Sequence, residues 1–173
     1  YYKGGEIESI SYYKYLLILF SSRLCWSAAT QTLASQAEKA LYKITNVTRF
    51  CGGIPASLSL DLFDKMVAPI LLYGSEIWGT RVVENINRIQ CKYYKYILNV
   101  SQNTPTLAIY GELGKSPITV LYIYKCIKFW LKIVHDNSIR IRNSLYKILK
   151  NYDEAGKITW ASSIKSILYM YGF

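Results

Sequence analysis

Apolar side chains at Trp26, Ala29, Leu33, Ala37, Ala40, Ile44 and Val47 step by three and four, and Gly52-Gly53 follows them. Such stepping places every one of these groups on one face of a helix, and the glycines end it. A face that long must be buried against other helices, as in a bundle or a dimeric coiled coil. The next stretch, "LFDKMVAPILLYGSEIWG" at 62–79, carries Phe63, Met66, Ile70, Tyr73 and Ile77 in the same stepping. It predicts a helix from about Ala56 to Trp78, with Gly79 as its C-cap. Asp61 and Asp64 then read as acids of its first turn, favoured by the helix dipole. Pro69 stands in the middle, where it removes a hydrogen bond and crowds a carbonyl at a cost of roughly 3 kcal/mol.

The rest of the chain divides in the same way. Residues 1–20 read as β, with "YYK" and "EIESI" flanking a Gly4-Gly5 turn and "YKYLLILF" as an aromatic and β-branched run. A third helix is predicted from Arg81 to about Val100. "SQNTPT" is a loop before a short helix, and Ser116-Pro117 opens "ITVLYIYKCIKFWLKIV" as N-cap and first-turn residues. "IRIRNSLYKILKNY" and "WASSIKSILYMYGF" complete the pattern as two more amphipathic helices. The fold class expected is mainly α, an N-terminal β-hairpin followed by a helical bundle of about six helices. No window reaches the ~18 consecutive apolar residues of a membrane span, so no membrane partner is expected. The start, "YYKGGEIES", has no initiator Met and no signal-peptide pattern, as expected of a piece of something longer or of an incomplete gene.

Charge narrows the partner. The formal net charge is +10, and it is unevenly placed. Residues 1–80 hold 7 Lys/Arg and 6 Asp/Glu, whereas residues 81–150 hold 12 against 3. Only Glu84, Glu112 and Asp136 offset the cations of that second segment, although a solvated helix face ordinarily mixes signs. Drawn at 100° per residue, Arg81, Arg88, Lys92 and Lys95 fall within about 40° of one line, beside an apolar face of Val82, Ile86, Ile89, Tyr93 and Ile97. Glu84, four residues before Arg88, is placed to pair with it. Lys125, Lys128 and Lys132 repeat the scheme at i, i+3, i+7, and Arg140, Arg142, Lys147 and Lys150 follow. Snorkelling lysines on a solvated face would account for any one row. Several rows without counter-charge point instead to a polyanion, with phosphate contacts that add independently of sequence. Of the 17 Tyr, some offer stacking surfaces for bases, while most are expected in the core.

Catalytic patterns are missing. The sequence has no P-loop, no Gly-x-Gly-x-x-Gly, no Gly-x-Ser-x-Gly and no His-Glu-x-x-His. Cys25, Cys51, Cys91 and Cys126 lie far apart and His135 stands alone, so a zinc site is not expected. The thiols read as buried and reduced in an intracellular protein. Two oxygen donors at Asp61 and Asp64 fall short of a divalent-ion site. The sequons at Asn46 and Asn99, without a secretory signal, read as chance matches. Alone, this chain is not expected to be an enzyme.

Four stretches carry a resemblance. "YYKYLLILFSSRLCWS" (12–27) is similar to a Phe-x-Tyr-Leu-Gly strand with a Ser-rich continuation. "LFDKMVAPILLYGSEIWG" resembles a Pro-Ile-Leu-x-Tyr-Gly-Ser-Glu-x-Trp-Gly block, and "TLAIYGELGKSPI" (106–118) a Tyr-Gly-Glu-Leu-Gly-x-x-Pro block. "WASSIKSILYMYGF" resembles a later helix closing on Gly-Phe. In that order they resemble the segment after the polymerase palm in reverse transcriptases of non-LTR (LINE-like) retrotransposons.

The resemblance implies RNA-directed DNA synthesis, with two magnesium ions held by carboxylates of an upstream Tyr-x-Asp-Asp strand. This chain lacks that strand, so it carries no catalytic residue and no cofactor of its own. By resemblance residues 1–23 are the end of the palm, 24–102 thumb-like helices, and 103–173 a C-terminal helical region cut short. Tyr15 and Leu16 fall at the primer grip, and the helices would hold the RNA template with its RNA–DNA or DNA duplex through phosphates. Further partners implied are the upstream palm and fingers, in an element ribonucleoprotein of cytoplasm and nucleus. Pro69, Tyr73, Gly74, Glu76 and Trp78 match the family's residue types. Pro69 would bend its helix, Gly74 would admit a neighbouring backbone, and Glu76 would be a buried or capping acid. Leu17 departs from the pattern, which has Gly there, as expected of an inactive copy. A second expectation is a host-retained helical interaction module derived from such an element.

Overall fold

The computed structural model describes residues 10–23, 25–135 and 140–172. The Gly4-Gly5 turn expected from the sequence, and Asp136, lie outside the described residues. The architecture is mainly α with an N-terminal antiparallel hairpin. That hairpin is made from the run expected to be a single strand. Strand β1 (Tyr12–Tyr15) pairs with β2 (Ile18–Ser21), with Tyr15 opposite Ile18. Leu16 and Leu17 form the turn at φ of 44° and 71°, the sign pattern of the two-residue turn whose twist suits paired strands.

Helix α1 (Ser27–Phe50) runs to Gly52 at φ 70°. Its buried positions include Leu33, Ala37, Leu41, Ile44 and Thr48, so the inward face ends on Thr48 and leaves Val47 exposed.

The Pro69 segment differs most from a regular helix. It breaks into α2 (Ala56–Leu62), a π-turn over Phe63–Val67, α3 (Ala68–Leu71) and α4 (Ser75–Trp78). In the π-turn the Ala68 N–H donates to the Phe63 carbonyl, five residues back. This widening carries the upstream carbonyls away from the Pro69 ring, which cannot donate and would otherwise collide with one of them. The wider turns shift the inward face to Ser59, Phe63, Val67, Leu71, Ser75 and Trp78. Met66, Tyr73 and Ile77 of the predicted face are exposed. Asp61 and Asp64 are not first-turn acids, because α2 begins at Ala56.

Gly74 separates α3 from α4 in the left-handed region, at φ 65°. A Cβ on it would lie 2.3 Å from Ile18 Cδ1. What approaches Gly74 closely is therefore a hairpin side chain and not the backbone expected. The Trp78 indole N–H donates to the Tyr73 carbonyl across this break at 3.0 Å. Glu76 neither caps nor is buried; it is half-exposed, 3.9 Å from Lys125.

Helix α5 (Glu84–Ile97) lies against α1 and closes the main core. Phe63 stacks on Tyr93 at 5.5 Å and meets Tyr94 edge-on. After α6 (Thr106–Leu113), α7 (Ile118–His135) crosses α4 at Gly79, where a Cβ would lie 3.2 Å from both Tyr122 Cβ and Cys126 Sγ. Buried Gln90 ties the three elements together. Its Oε1 accepts from Tyr110 and from the Ile118 N–H at 3.0 and 2.7 Å, and its Nε2 donates to Tyr94 and the Ser116 carbonyl. Helices α8 (Arg140–Glu154) and α9 (Trp160–Met170) pack on the far half of α7 around a smaller core of Cys126, Ile164 and Ile167. Trp160 joins the two by donating to the Glu76 carbonyl at 3.2 Å.

Candidate nucleic-acid interface

The predicted cations separate into three groups once folded. Arg88 and Lys92 stand one turn apart on the solvent side of α5, both exposed, and neither makes an ion pair among the described residues. Glu84 therefore does not neutralise Arg88. The other two members of that predicted row fall away. Arg81 is exposed but precedes the helix, in the loop after α4. Lys95 is 7% exposed, and its ammonium donates to the Gln102 carbonyl. The loop after α5 turns back over the helix end, so a position that projects to solvent on an isolated helix is covered here. Val82 and Ile97 of the predicted apolar face are likewise not buried, while Ile86, Ile89 and Tyr93 are.

On α7 the row is also divided. Lys125 is occupied by Glu76 and lies 3.5 Å from the Leu72 carbonyl. Lys128 sits over the Tyr124 ring, 5.8 Å from its centroid, and Lys132 is exposed. These three lysines line a groove of about 420 Å³ with Tyr124 and Phe129. Arg140 opens α8, and Arg142 lies half-buried with its guanidinium 6.0 Å from the Phe129 ring centre. Tyr15 and Leu16 lie at the hairpin tip and are both exposed.

A second groove, of about 750 Å³, separates α5 from α6 and the start of α7, and Arg88 and Lys92 form its wall. A third, of about 800 Å³, lies between α1 and α5. Lys39, Lys43 and Arg49 of α1 face Lys92 of α5 there, with Glu38 the one acid of the lining. Sequence reasoning passed over these α1 cations because their half of the chain is nearly neutral in total. The signal was present in their spacing, i, i+4 and i+10 on one helix.

The remaining polar chemistry is structural. Asp64 is held by Lys115 at 2.8 Å, and the carboxylate keeps that lysine's pKa above its ordinary value, chiefly through their hydrogen bond. Asp61 pairs with Lys65 at 3.6 Å. Among the described residues no three His, Cys, Asp or Glu side chains come together. The two aspartates are each engaged by a lysine. The cysteines are free, but only Cys126 is buried, and burial pushes its thiol up to about 12. Cys25 and Cys51 are exposed, contrary to the expectation of buried thiols. Tyrosine likewise divides against expectation: Tyr93, Tyr94, Tyr110 and Tyr122 are buried, whereas nine others are exposed. No helix among the described residues is long and apolar enough to cross a membrane. Comparison with protein-family models, curated proteins and solved structures finds no match to this chain.

Proposed function

We propose that this chain is the segment following the palm in a reverse transcriptase of the non-LTR type, and that it holds a template–primer duplex by its phosphates. The observation that carries this reading is the set Arg88, Lys92, Lys128 and Lys132, exposed on α5 and α7 with no counter-ion among the described residues. Cations left unpaired on rigid helices suit a partner read by its backbone. The motif residues support the same reading, because their chemistry is demanded locally. Gly74 accepts a left-handed turn under Ile18, Gly79 lets α7 approach, and Trp78 spans the break between α3 and α4. In the whole polymerase the magnesium ions would belong to carboxylates upstream, RNA and hybrid duplex would be the partners, and the ribonucleoprotein would work in cytoplasm and nucleus.

The test is hybrid binding measured by fluorescence anisotropy over a range of salt. Changing Arg88, Lys128 and Lys132 together to Glu removes three phosphate contacts, so the slope of log K against log salt falls by roughly 2.7. Lys95 is left unchanged, since its ammonium serves the fold. An unaltered slope would refute the reading. A second reading, a retained interaction module, is favoured by α8. From Ile141 to Glu154 that helix has no buried residue, and Ile141, Leu145, Ile148 and Tyr152 form an exposed apolar row along it. Under that reading the triple variant leaves hybrid binding intact.

A further inference from the structure

The groove between α1 and α5 differs in kind from the exposed rows. Along α1, Tyr42 and Arg49 lie at i and i+7, on the side turned toward α5, with Lys39 and Lys43 beside them. From α5 come Lys92 and Tyr96, one turn apart. The Arg49 guanidinium lies over the Tyr96 ring, 5.9 Å from its centroid. Tyr42 is 67% exposed; its carbonyl accepts from the Thr45 hydroxyl at 3.0 Å, but its phenol side chain makes no hydrogen bond, ring contact or cation contact among the described residues. Lys39, Lys43 and Lys92 make no ion pair among them either. The lining thus offers four cations against Glu38, an open phenol ring, and a second ring already covered by a guanidinium plane.

We propose that this groove binds a single-stranded polynucleotide, one base stacking on Tyr42 while Lys39, Lys43, Arg49 and Lys92 hold successive phosphates. Charge complementarity selects a polyanion, and the free ring selects one that presents flat apolar faces between its charges. Single-stranded nucleic acid has both, because unpaired bases stack on aromatic side chains whatever their sequence. A duplex keeps its bases turned inward and cannot use Tyr42. The α1 segment from Lys39 to Arg49 rises about 15 Å, the length of about four nucleotides at a stacking rise near 3.4 Å. The inference rests on the proposed function only in taking nucleic acid as the partner. It assigns the single strand entering or leaving the duplex to a groove that adjoins the duplex-facing cations and shares Lys92 with them.

The experiment uses the full chain, a short oligouridine and a blunt hybrid duplex, each titrated at several salt concentrations. Lys39→Glu with Lys43→Glu lowers the salt slope for oligouridine by about 1.4, the loss of two single-strand phosphate contacts. Tyr42→Leu, at an exposed position that leaves the core untouched, weakens oligouridine about fivefold or more at constant slope. Both leave duplex affinity within twofold of the parent. Unchanged oligouridine binding in either variant overturns the proposal, as does an equal loss for duplex and single strand. The variant altered at Arg88, Lys128 and Lys132 is the control for the duplex surface. Its failure to weaken duplex binding would sink the proposed function and leave the single-strand groove standing.

Discussion

Replacing Gly74 by Ala should cost about 2–3 kcal/mol, and the structure divides that cost into two parts that can be measured separately. The first is backbone. At φ 65° the residue is left-handed, and a Cβ in that region costs about 1–2 kcal/mol. The second is contact. The new Cβ would lie 2.3 Å from Ile18 Cδ1, but 3.5 Å from Ile18 Cγ1, which is ordinary packing. The terminal methyl must swing out of its rotamer, for roughly 0.5–1.5 kcal/mol. Ile18→Val deletes the offending methyl, keeps the branch, and by itself costs roughly 0.5–1 kcal/mol at this half-buried site. In the Ile18→Val background, Gly74→Ala should therefore cost only the backbone part. The coupling, measured by urea denaturation of the four proteins of the cycle, should be about 0.5–1.5 kcal/mol in favour of the double variant. Additive costs would refute the seating of the hairpin on Gly74. A cost below about 0.5 kcal/mol for Gly74→Ala alone would refute the left-handed break.

The hairpin tip makes the converse prediction. Leu17 holds φ 71°, so Leu17→Gly should raise stability by roughly 0.5–1 kcal/mol despite the looser unfolded chain, with slower hydrogen exchange at the strand amides as the readout. Gln90→Ala should cost about 3–5 kcal/mol by chemical denaturation, because it strands Tyr110, the Ile118 N–H, Tyr94 and the Ser116 carbonyl in one step. A loss under about 1 kcal/mol would mean that water replaces the amide there.

What the sequence made legible was regular structure whose period stays constant. The middles of the inward faces of α1 and α5, Leu33 to Ile44 and Ile86 to Tyr93, follow from apolar stepping, whereas Val47, Val82 and Ile97 at their ends are not buried, and the glycines that end α1 stand where the stepping stops. The Pro69 segment was misread because its face was drawn at the α-helical period. Pro69 forces a π-turn and Gly74 a left-handed break, and each changes the angle between successive residues. Phe63 belongs to both the predicted and the real face, but Met66 points to solvent where Val67 is buried. An N-terminal hairpin was expected and is present, but the turn at Leu16-Leu17 was not foreseen for a related reason: turn chemistry identifies turns, and Leu16-Leu17 has none. The glycine expected at Leu17 by resemblance is the residue this turn would use.

Charge was legible in amount and not in place. Counted along the chain, residues 1–80 are nearly neutral and 81–150 strongly basic. In space two acids of the first segment pair outside it. Asp64 is held by Lys115 and Glu76 by Lys125, both from the basic segment. The second pair subtracts from the predicted α7 row, and burial of Lys95 subtracts from the α5 row. Lys39, Lys43 and Arg49 on α1 make no ion pair among the described residues. A window sum cannot detect this, because ion pairs between residues some fifty apart in sequence are decided by helix packing. In the folded chain Lys39, Lys43, Arg49 and Lys92 thus line one groove between α1 and α5. That placement is why reversal of Lys39 and Lys43, unremarkable in a neutral segment, is expected to weaken single-strand binding.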